Sequence, residues 1–305
     1  MRYPPQVKIV DVSPRDGLQN EKVSVPTQVR VELIDRLSDA GLQSVEAGSF
    51  VSPKWVPQMA DTSDVMARIR RRPGVAYPVL VPNMQGLESA IAAGATEVAG
   101  FASATEAFSM RNTNCTIVES MKRQKSVCDA ARKAGLRVRG YISVVLDCPY
   151  EGEVKPQAVA EVAIQLRDMG CYEISLGDTI GTGTPARAQK LIETIARRIP
   201  IDMLAGHFHD TYGQALANIL AVMELGVATF DSSAAGLGGC PYARGATGNV
   251  ATEDVLYMLN GLDIKTGIDM NRLLDAAQFI CHHLGRPTAS RAGRALRAKR
   301  DKAGA

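Results

Sequence analysis

The sequence predicts an α/β protein in which eight strands, each followed by a helix, close into a (β/α)8 TIM barrel with additional C-terminal helices. Three observations carry that prediction. Short β-rich runs alternate with helix-like stretches along the chain at near-constant spacing, the pattern of a parallel sheet with crossover helices. The 305 residues exceed the roughly 250 usual for such a barrel, which leaves room for extra helices. The competing open, doubly wound sheet would want a glycine-rich phosphate loop after strand one. The residues there are Ser13-Pro14-Arg15-Asp16-Gly17, and neither G-x-G-x-x-G nor a Walker A motif occurs in the chain.

In chain order the expected strands are Val7–Ser13, Ser44–Ser49, Ala76–Val81, Glu97–Ser103, Arg137–Val145, Glu173–Asp178, Met203–Asp210 and Thr229–Ala235. Between them the helical pattern falls on Pro26–Ala40, Thr62–Arg71, Gly86–Ala93, Ile117–Ala134, Pro156–Met169, Pro185–Arg198 and Gln214–Leu225. Pro26, Pro156 and Pro185 stand in first turns, where a missing N–H costs nothing. Gly41, Gly94, Gly135, Gly170 and Gly226 follow the last helical residues, the left-handed stop that glycine favours. Two more helices, near Val250–Asn260 and Asn271–Leu284, supply the additional elements. No linker, low-complexity stretch or further repeat divides the chain. Residues 1–285 are therefore expected to form one domain, and residues 286–305 a basic, frayed tail.

Composition narrows the function classes. Hydrophobic residues make up 46% and charged residues 22%, which argues against a disordered or fibrous protein. No apolar run approaches the roughly 20 residues that span a bilayer, and no apolar segment opens the chain as a signal would, so a cytoplasmic protein without a membrane partner is expected. The last 20 residues carry seven Lys/Arg and one Asp, a net +6, so the first 285 sum to −3 and a nucleic-acid-binding body is not expected. Cys115, Cys128, Cys148, Cys171, Cys240 and Cys281 show no CxxC or zinc-finger spacing and read as reduced thiols, most of them small core residues.

In such a barrel, chemistry sits at the C-terminal ends of the strands. Those ends read Ser13-Pro14-Arg15-Asp16, Glu46-Ala47-Gly48-Ser49, Ser175-Leu176-Gly177-Asp178 and His207-Phe208-His209-Asp210. His207 and His209 stand two apart on a strand, so both imidazoles share one face and can grip one cation. Two hydrogen-bonded polar residues at a strand end are the plain alternative. With Asp16 they would make a mixed N/O set with open positions, suited to Mg, Mn, Fe or Zn in a catalytic rather than a closed structural site. Arg15 would stabilise an enolate or carboxylate, or else bridge the mouth to Glu46 or Asp178. Gly236–Gly245 holds four glycines and Cys240, the make-up of a loop that folds over substrate with a thiol able to move a proton. Asn249 follows and could add an oxygen to the metal. His282 and His283 lie on a late helix and read as structural.

With these residues placed, the chain resembles the 3-hydroxy-3-methylglutaryl-CoA lyases, within a superfamily of metal-dependent barrel enzymes that includes Claisen-type synthases. The resemblance runs from about Val7 to Leu284. It rests on Pro14-Arg-Asp-Gly-Leu-Gln-Asn-Glu21, Ser49-Phe-Val-Ser-Pro-Lys-Trp-Val-Pro-Gln-Met59, Cys148-Pro-Tyr-Glu-Gly152 and Gly170-Cys-Tyr-Glu-Ile-Ser-Leu-Gly-Asp-Thr179. His209-Asp-Thr-Tyr-Gly-Gln-Ala-Leu-Ala-Asn218 and Gly236-Leu-Gly-Gly-Cys-Pro-Tyr-Ala243 complete it, and these last two are the most diagnostic.

The resemblance implies that Asp16, His207 and His209 ligate Mg2+ or Mn2+, with Asn249 as a weaker fourth ligand. It implies that Arg15 stabilises the enolate, that Cys240 works near the reacting carbon, and that Glu46 and Asp178 act in catalysis or orient ligands. His207 and Asp178 are the candidates for the base. It also implies an acyl-CoA substrate cleaved to acetyl-CoA and acetoacetate, a homodimer, and a place in leucine breakdown and ketone-body metabolism. Val144, Asp147, Met110 and Thr105 depart from the family pattern. They motivate an alternative in which the same chemistry acts on a related branched or longer 3-hydroxyacyl-CoA. A Claisen synthase would need an extra domain. A barrel that binds metal or CoA without turnover would be expected to have lost Arg15, Asp16 or a histidine, and all are present.

Overall fold

The computed structural model describes residues 3–21, 23–239 and 248–303. Eight parallel strands form its centre: β1 (Lys8–Asp11), β2 (Ser44–Val45 and, after a break at Glu46-Ala47, Gly48–Ser49), β3 (Val79–Leu80), β4 (Glu97–Ser103), β5 (Arg137–Ser143), β6 (Glu173–Asp178), β7 (Leu204–Phe208) and β8 (Thr229–Ser232). Each pairs with its neighbours in sequence, and β8 returns to β1, with Lys8 opposite Thr229 and Asp11 opposite Ser232. The ring closes through β2. On one side the Glu46 N–H donates to the Asp11 carbonyl, and on the other the Val45 and Ala47 N–H groups donate to the Ala76 and Pro78 carbonyls.

The outer layer is α1 (Thr27–Asp39), α2 (Thr62–Arg68), α3 (Met84–Ala92), α4 (Glu106–Thr113), α5 (Ile117–Lys133), α6 (Pro156–Asp168), α7 (Pro185–Ala196) and α8 (Ala215–Met223). Helices α9 (Thr252–Gly261), α10 (Met270–Leu284) and α11 (Arg291–Ala303) follow the last strand. The stop signals act as expected: Gly41 and Gly226 take φ of +99° and +100° just past α1 and α8. Helix α5 begins on a capping box, in which the Thr116 hydroxyl accepts from Glu119 N–H and the Glu119 carboxylate accepts from Thr116 N–H.

Three local expectations change. Strand three shrinks to Val79–Leu80, because Pro78 interrupts the run and has no N–H to give a ladder. Helix α4 was not expected; it buries only Phe108 and Ser109, so no apolar stripe announces it. The basic tail is helical from Arg291 rather than frayed. Its first turn is capped from α9: the Asp254 carboxylate accepts from the Ser290 hydroxyl and from the Arg291 and Ala292 N–H groups. A cap supplied from so far back in the sequence leaves no local signature.

The two faces of the sheet differ in chemistry. Val98, Ile174, Leu204 and Phe230 point outward into the helices and are fully buried. The alternate residues point into the lumen, and they include Arg139, Glu173, Ser175 and Asp231, all buried as well.

Candidate active site

After β1 the chain makes a π-helical turn, Ser13–Gly17, which carries Arg15 and Asp16 over the mouth of the lumen. Gly17 allows it: a Cβ there would meet Leu237 Cβ at 2.8 Å and Ser233 Oγ at 2.9 Å, at the end of β8. His207 and His209 stand on one face at the end of β7, with ring centroids 5.3 Å apart. Asp16, His207 and His209 each offer one ligand atom, and these atoms lie within 4.8 Å of one another. Asn249 forms an isolated β-bridge with His209, and its Nδ2 donates to Asp16 Oδ2 at 2.8 Å. Its amide oxygen is then the atom available to a cation.

This set fits a divalent metal. One carboxylate and two imidazoles make a mixed N/O site without thiolates. His209 Nδ1 is buried with no hydrogen-bond partner. Burial, and then the neighbouring His207, push the His209 pKa down to about 4, so the ring is neutral and keeps a lone pair at physiological pH. Burial would also raise Asp16, but Arg15 and then His207 outweigh it and hold Asp16 below the usual carboxylate range.

Arg15 is buried between two carboxylates. Its Nε donates to Glu46 Oε2 at 2.7 Å and its Nη1 to Asp16 Oδ1 at 2.6 Å. Its guanidinium carbon lies 5.6 Å from the Tyr141 ring centroid. Nη2 makes no hydrogen bond among the described residues. Burial raises the Glu46 pKa against the pull of Arg15, and Glu46 Oε1 has no partner.

Asp178 is not brought to this cluster. In the β6–β7 register Gly177 lies opposite His207, and Asp178 lies opposite Phe208, whose side chain belongs to the apolar core. His207 faces the lumen, so Asp178 faces away from it. Its Oδ2 accepts from Gly183 N–H at 2.9 Å, and Asn218 Nδ2 donates to the Gly183 carbonyl at 3.1 Å. The pair clamps the loop after β6. Burial lifts the Asp178 pKa to about 6, but a base must reach the proton that it takes. Cys240 lies outside the described residues. The stem of its loop adjoins the site: Asn20 Nδ2 donates to the Gly239 carbonyl at 3.2 Å, and a Cβ on Gly238 would meet Asn249 Nδ2 at 2.8 Å.

The lumen also holds residues that sequence reasoning missed. Asp231 Oδ2 lies 3.1 Å from His207 Nδ1, and Arg139 forks onto both Asp231 oxygens. A signal existed: Arg139-x-Tyr141 and Glu173-x-Ser175 place polar groups at every second position of otherwise apolar strands. The positions that depart from the family pattern lie elsewhere. Asp147 pairs with Arg187 and accepts from the Thr182 hydroxyl. Met110 is exposed on α4, and Thr105 bonds Cys148 Sγ at 3.1 Å. Val144 is buried with φ +55°, a strained conformation for a β-branched residue, at the end of β5.

Known proteins share this architecture and sequence. The 3-hydroxy-3-isohexenylglutaryl-CoA/hydroxymethylglutaryl-CoA lyase of Pseudomonas aeruginosa is 60% identical over 98% of this chain and 100% of its own length. The mitochondrial hydroxymethylglutaryl-CoA lyase of Mus musculus is 59% identical over 96% of this chain and 90% of its own. The crystal structure of hydroxymethylglutaryl-CoA lyase from Pseudomonas aeruginosa superposes with a TM-score of 0.96 at 60% identity, covering 98% of this chain and 100% of that one. The HMGL-like family model matches residues 6–280, and the chain belongs to the HMGL-like family.

Proposed function

We propose that the protein is a divalent-metal-dependent carbon–carbon lyase that splits 3-hydroxy-3-methylglutaryl-CoA into acetyl-CoA and acetoacetate. The observation that carries this reading is the convergence of Asp16, His207 and His209 within 4.8 Å beside Arg15. Identity of 60% over nearly the whole chain to a lyase of that substrate supports it. Asp16, His207, His209 and the Asn249 amide oxygen would hold Mg2+ or Mn2+, which would supply Lewis acidity to the substrate's C3 hydroxyl.

The C2–C3 bond breaks as the C3 hydroxyl loses its proton. C3 becomes the ketone carbon of acetoacetate, and the electron pair passes into the enolate of acetyl-CoA. Arg15 sets a permanent positive charge where that enolate oxygen develops. Glu46 and Asp16 hold the guanidinium in place through Nε and Nη1. The enolate carbon then takes a proton, a step assigned to Cys240 from the sequence.

With Asp178 turned away, two lumen-side groups can accept the hydroxyl proton. His207 Nε2 has one lone pair, so it serves as ligand or as base but not as both at once. Glu46, raised by burial and with a free Oε1, is the other. The pH–rate profile of Glu46→Gln separates them: loss of the acidic limb assigns the base to Glu46.

The direct test is acetoacetate release from 3-hydroxy-3-methylglutaryl-CoA with Mg2+ or Mn2+, and again with EDTA. Turnover that needs the metal and disappears in His207→Ala is expected. A folded, metal-loaded protein with no turnover would overturn the substrate assignment.

A second reading extends the substrate. The Pseudomonas aeruginosa relative is named for a 3-isohexenyl substrate as well as the 3-methyl one. In this chain a small apolar cluster on the lumen side, Leu80, Ala99 and Tyr141 with Val51 and Phe101 packed against it, adjoins Arg15 through Tyr141. Such a wall would take a longer aliphatic substituent. The ratio of kcat/KM for the two substrates, and its fall in Ala99→Phe for the longer one alone, tests this.

A further inference from the structure

Behind the groups that would meet substrate or metal, the lumen holds an unbroken line of paired charges. Lys8 Nζ donates to Glu173 Oε2 at 2.6 Å, and Arg139 Nε donates to Glu173 Oε1 at 2.6 Å. Arg139 Nη1 and Nη2 donate to Asp231 Oδ2 and Oδ1 at 3.1 and 2.7 Å, and the Ser175 hydroxyl donates to Asp231 Oδ2 at 2.7 Å. The line ends on His207, whose Nδ1 lies 3.1 Å from Asp231 Oδ2. Arg139 and Asp231 are 1% and 2% exposed, so bulk water takes no part in the bonds between them.

Stability alone does not call for this arrangement. Apolar side chains of similar volume commonly hold a core as well as a buried ion pair does. The direction of the bonds is more informative. An ionised carboxylate only accepts. Both Asp231 oxygens already accept from the Arg139 fork, and Oδ2 from the Ser175 hydroxyl too, the surroundings of an ionised carboxylate. His207 Nδ1 then carries a hydrogen, and in the neutral ring Nε2 holds the lone pair. His209 has no such partner, since its Nδ1 is buried and unbonded. The two histidines of the cluster are therefore held by different means.

We propose that Asp231, fixed by the Arg139 fork, is a positioning residue that selects the Nδ1–H tautomer and ring orientation of His207, so that Nε2 faces the Asp16–His207–His209 cluster before any ligand binds. This rests on the metal-site reading above, and it is tested by readouts that do not depend on turnover. In Asp231→Asn the two Arg139 donors claim the amide oxygen, and the amide NH2 turns toward His207 Nδ1. The ring proton moves to Nε2 and blocks the ligating nitrogen.

The first measurement uses the unaltered protein without metal. 15N spectra of the histidine rings, taken at a pH where the ring is neutral and assigned with His207→Gln, should show His207 protonated on Nδ1. Protonation on Nε2 would overturn the proposal, whatever the variants do. The second measures Mn2+ affinity by the EPR signal of the free ion. Asp231→Asn should weaken binding about 10–100-fold, the usual consequence of losing a partner behind a metal ligand. Arg139→Lys, which keeps the charge but not the fork, should fall between the two. A folded Asp231→Asn variant that binds Mn2+ within about threefold of the parent would also overturn it. If the parent shows the Nδ1–H tautomer and binds Mn2+ but releases no acetoacetate, the substrate assignment fails and the positioning role of Asp231 stands.

Discussion

The sheet of this barrel has two faces made of opposite materials. On the outer face Val98, Ile174, Leu204 and Phe230 meet the helices through contacts that have no preferred direction. On the inner face Arg139, Glu173, Asp231 and His207 meet through bonds that each admit few partners. Both faces are equally buried, yet they should respond to change in different ways. The outer face should tolerate substitutions that keep volume and apolarity. The inner face should not, because removing one member strands a buried charge.

The largest expected effect comes from breaking the inner line. Arg139→Met leaves Asp231 without its fork, and unfolding in urea should show a loss of about 3–5 kcal/mol. A loss under about 1 kcal/mol would mean that the lumen relaxes like the outer face, and the contrast would collapse. Next comes Arg15→Met, at the mouth of the same lumen. By analogy with the loss of one oxyanion-stabilising donor, kcat should fall about 10²–10³-fold. A fall in kcat/KM through KM alone would say that Arg15 binds substrate without stabilising the enolate.

On the outer face Ile174→Val should cost only about 0.5–1.5 kcal/mol and leave kcat unchanged. A matching loss of activity would show that the two faces are coupled. The smallest effect is expected outside the barrel. Lys125 and Asp129 form an exposed i,i+4 pair on α5 at 2.6 Å, and Lys125→Ala should shift stability by about 0.3–0.5 kcal/mol, within what salt alone can screen. A thermal melt at low and high ionic strength checks that figure.

The same contrast explains what could be read from the sequence. The outer face and its helices were legible, because apolar spacing and left-handed glycines repeat along the chain. The Asp16–His207–His209 cluster was legible because these residues stand at strand ends in a recognisable order. Asp178 was misplaced because one residue of parity separates the lumen from the helix side, and a strand end does not declare which way its last residue turns. The register Gly177–His207 decides it. Asp231 and Arg139 were overlooked because β5 and β8 are not neighbours in the sheet, and only the contact across the lumen, 92 positions apart in sequence, reveals them as partners. Helix α11 escaped notice because its cap, Asp254, comes from another helix.

The break at Glu46-Ala47 has a consequence for how copies of this protein can meet. Although the strand is interrupted there, Glu46 still gives its N–H to β1 and Ala47 gives its own toward β3, so the ring has no gap. A sheet with a free margin offers unpaired N–H and carbonyl groups to any passing strand, which is how many β-proteins aggregate or trade segments. Among the described residues, the eight-stranded ring offers no such margin. The helices and rim loops outside the ring carry side chains that can be altered one at a time without touching the ladder that holds it.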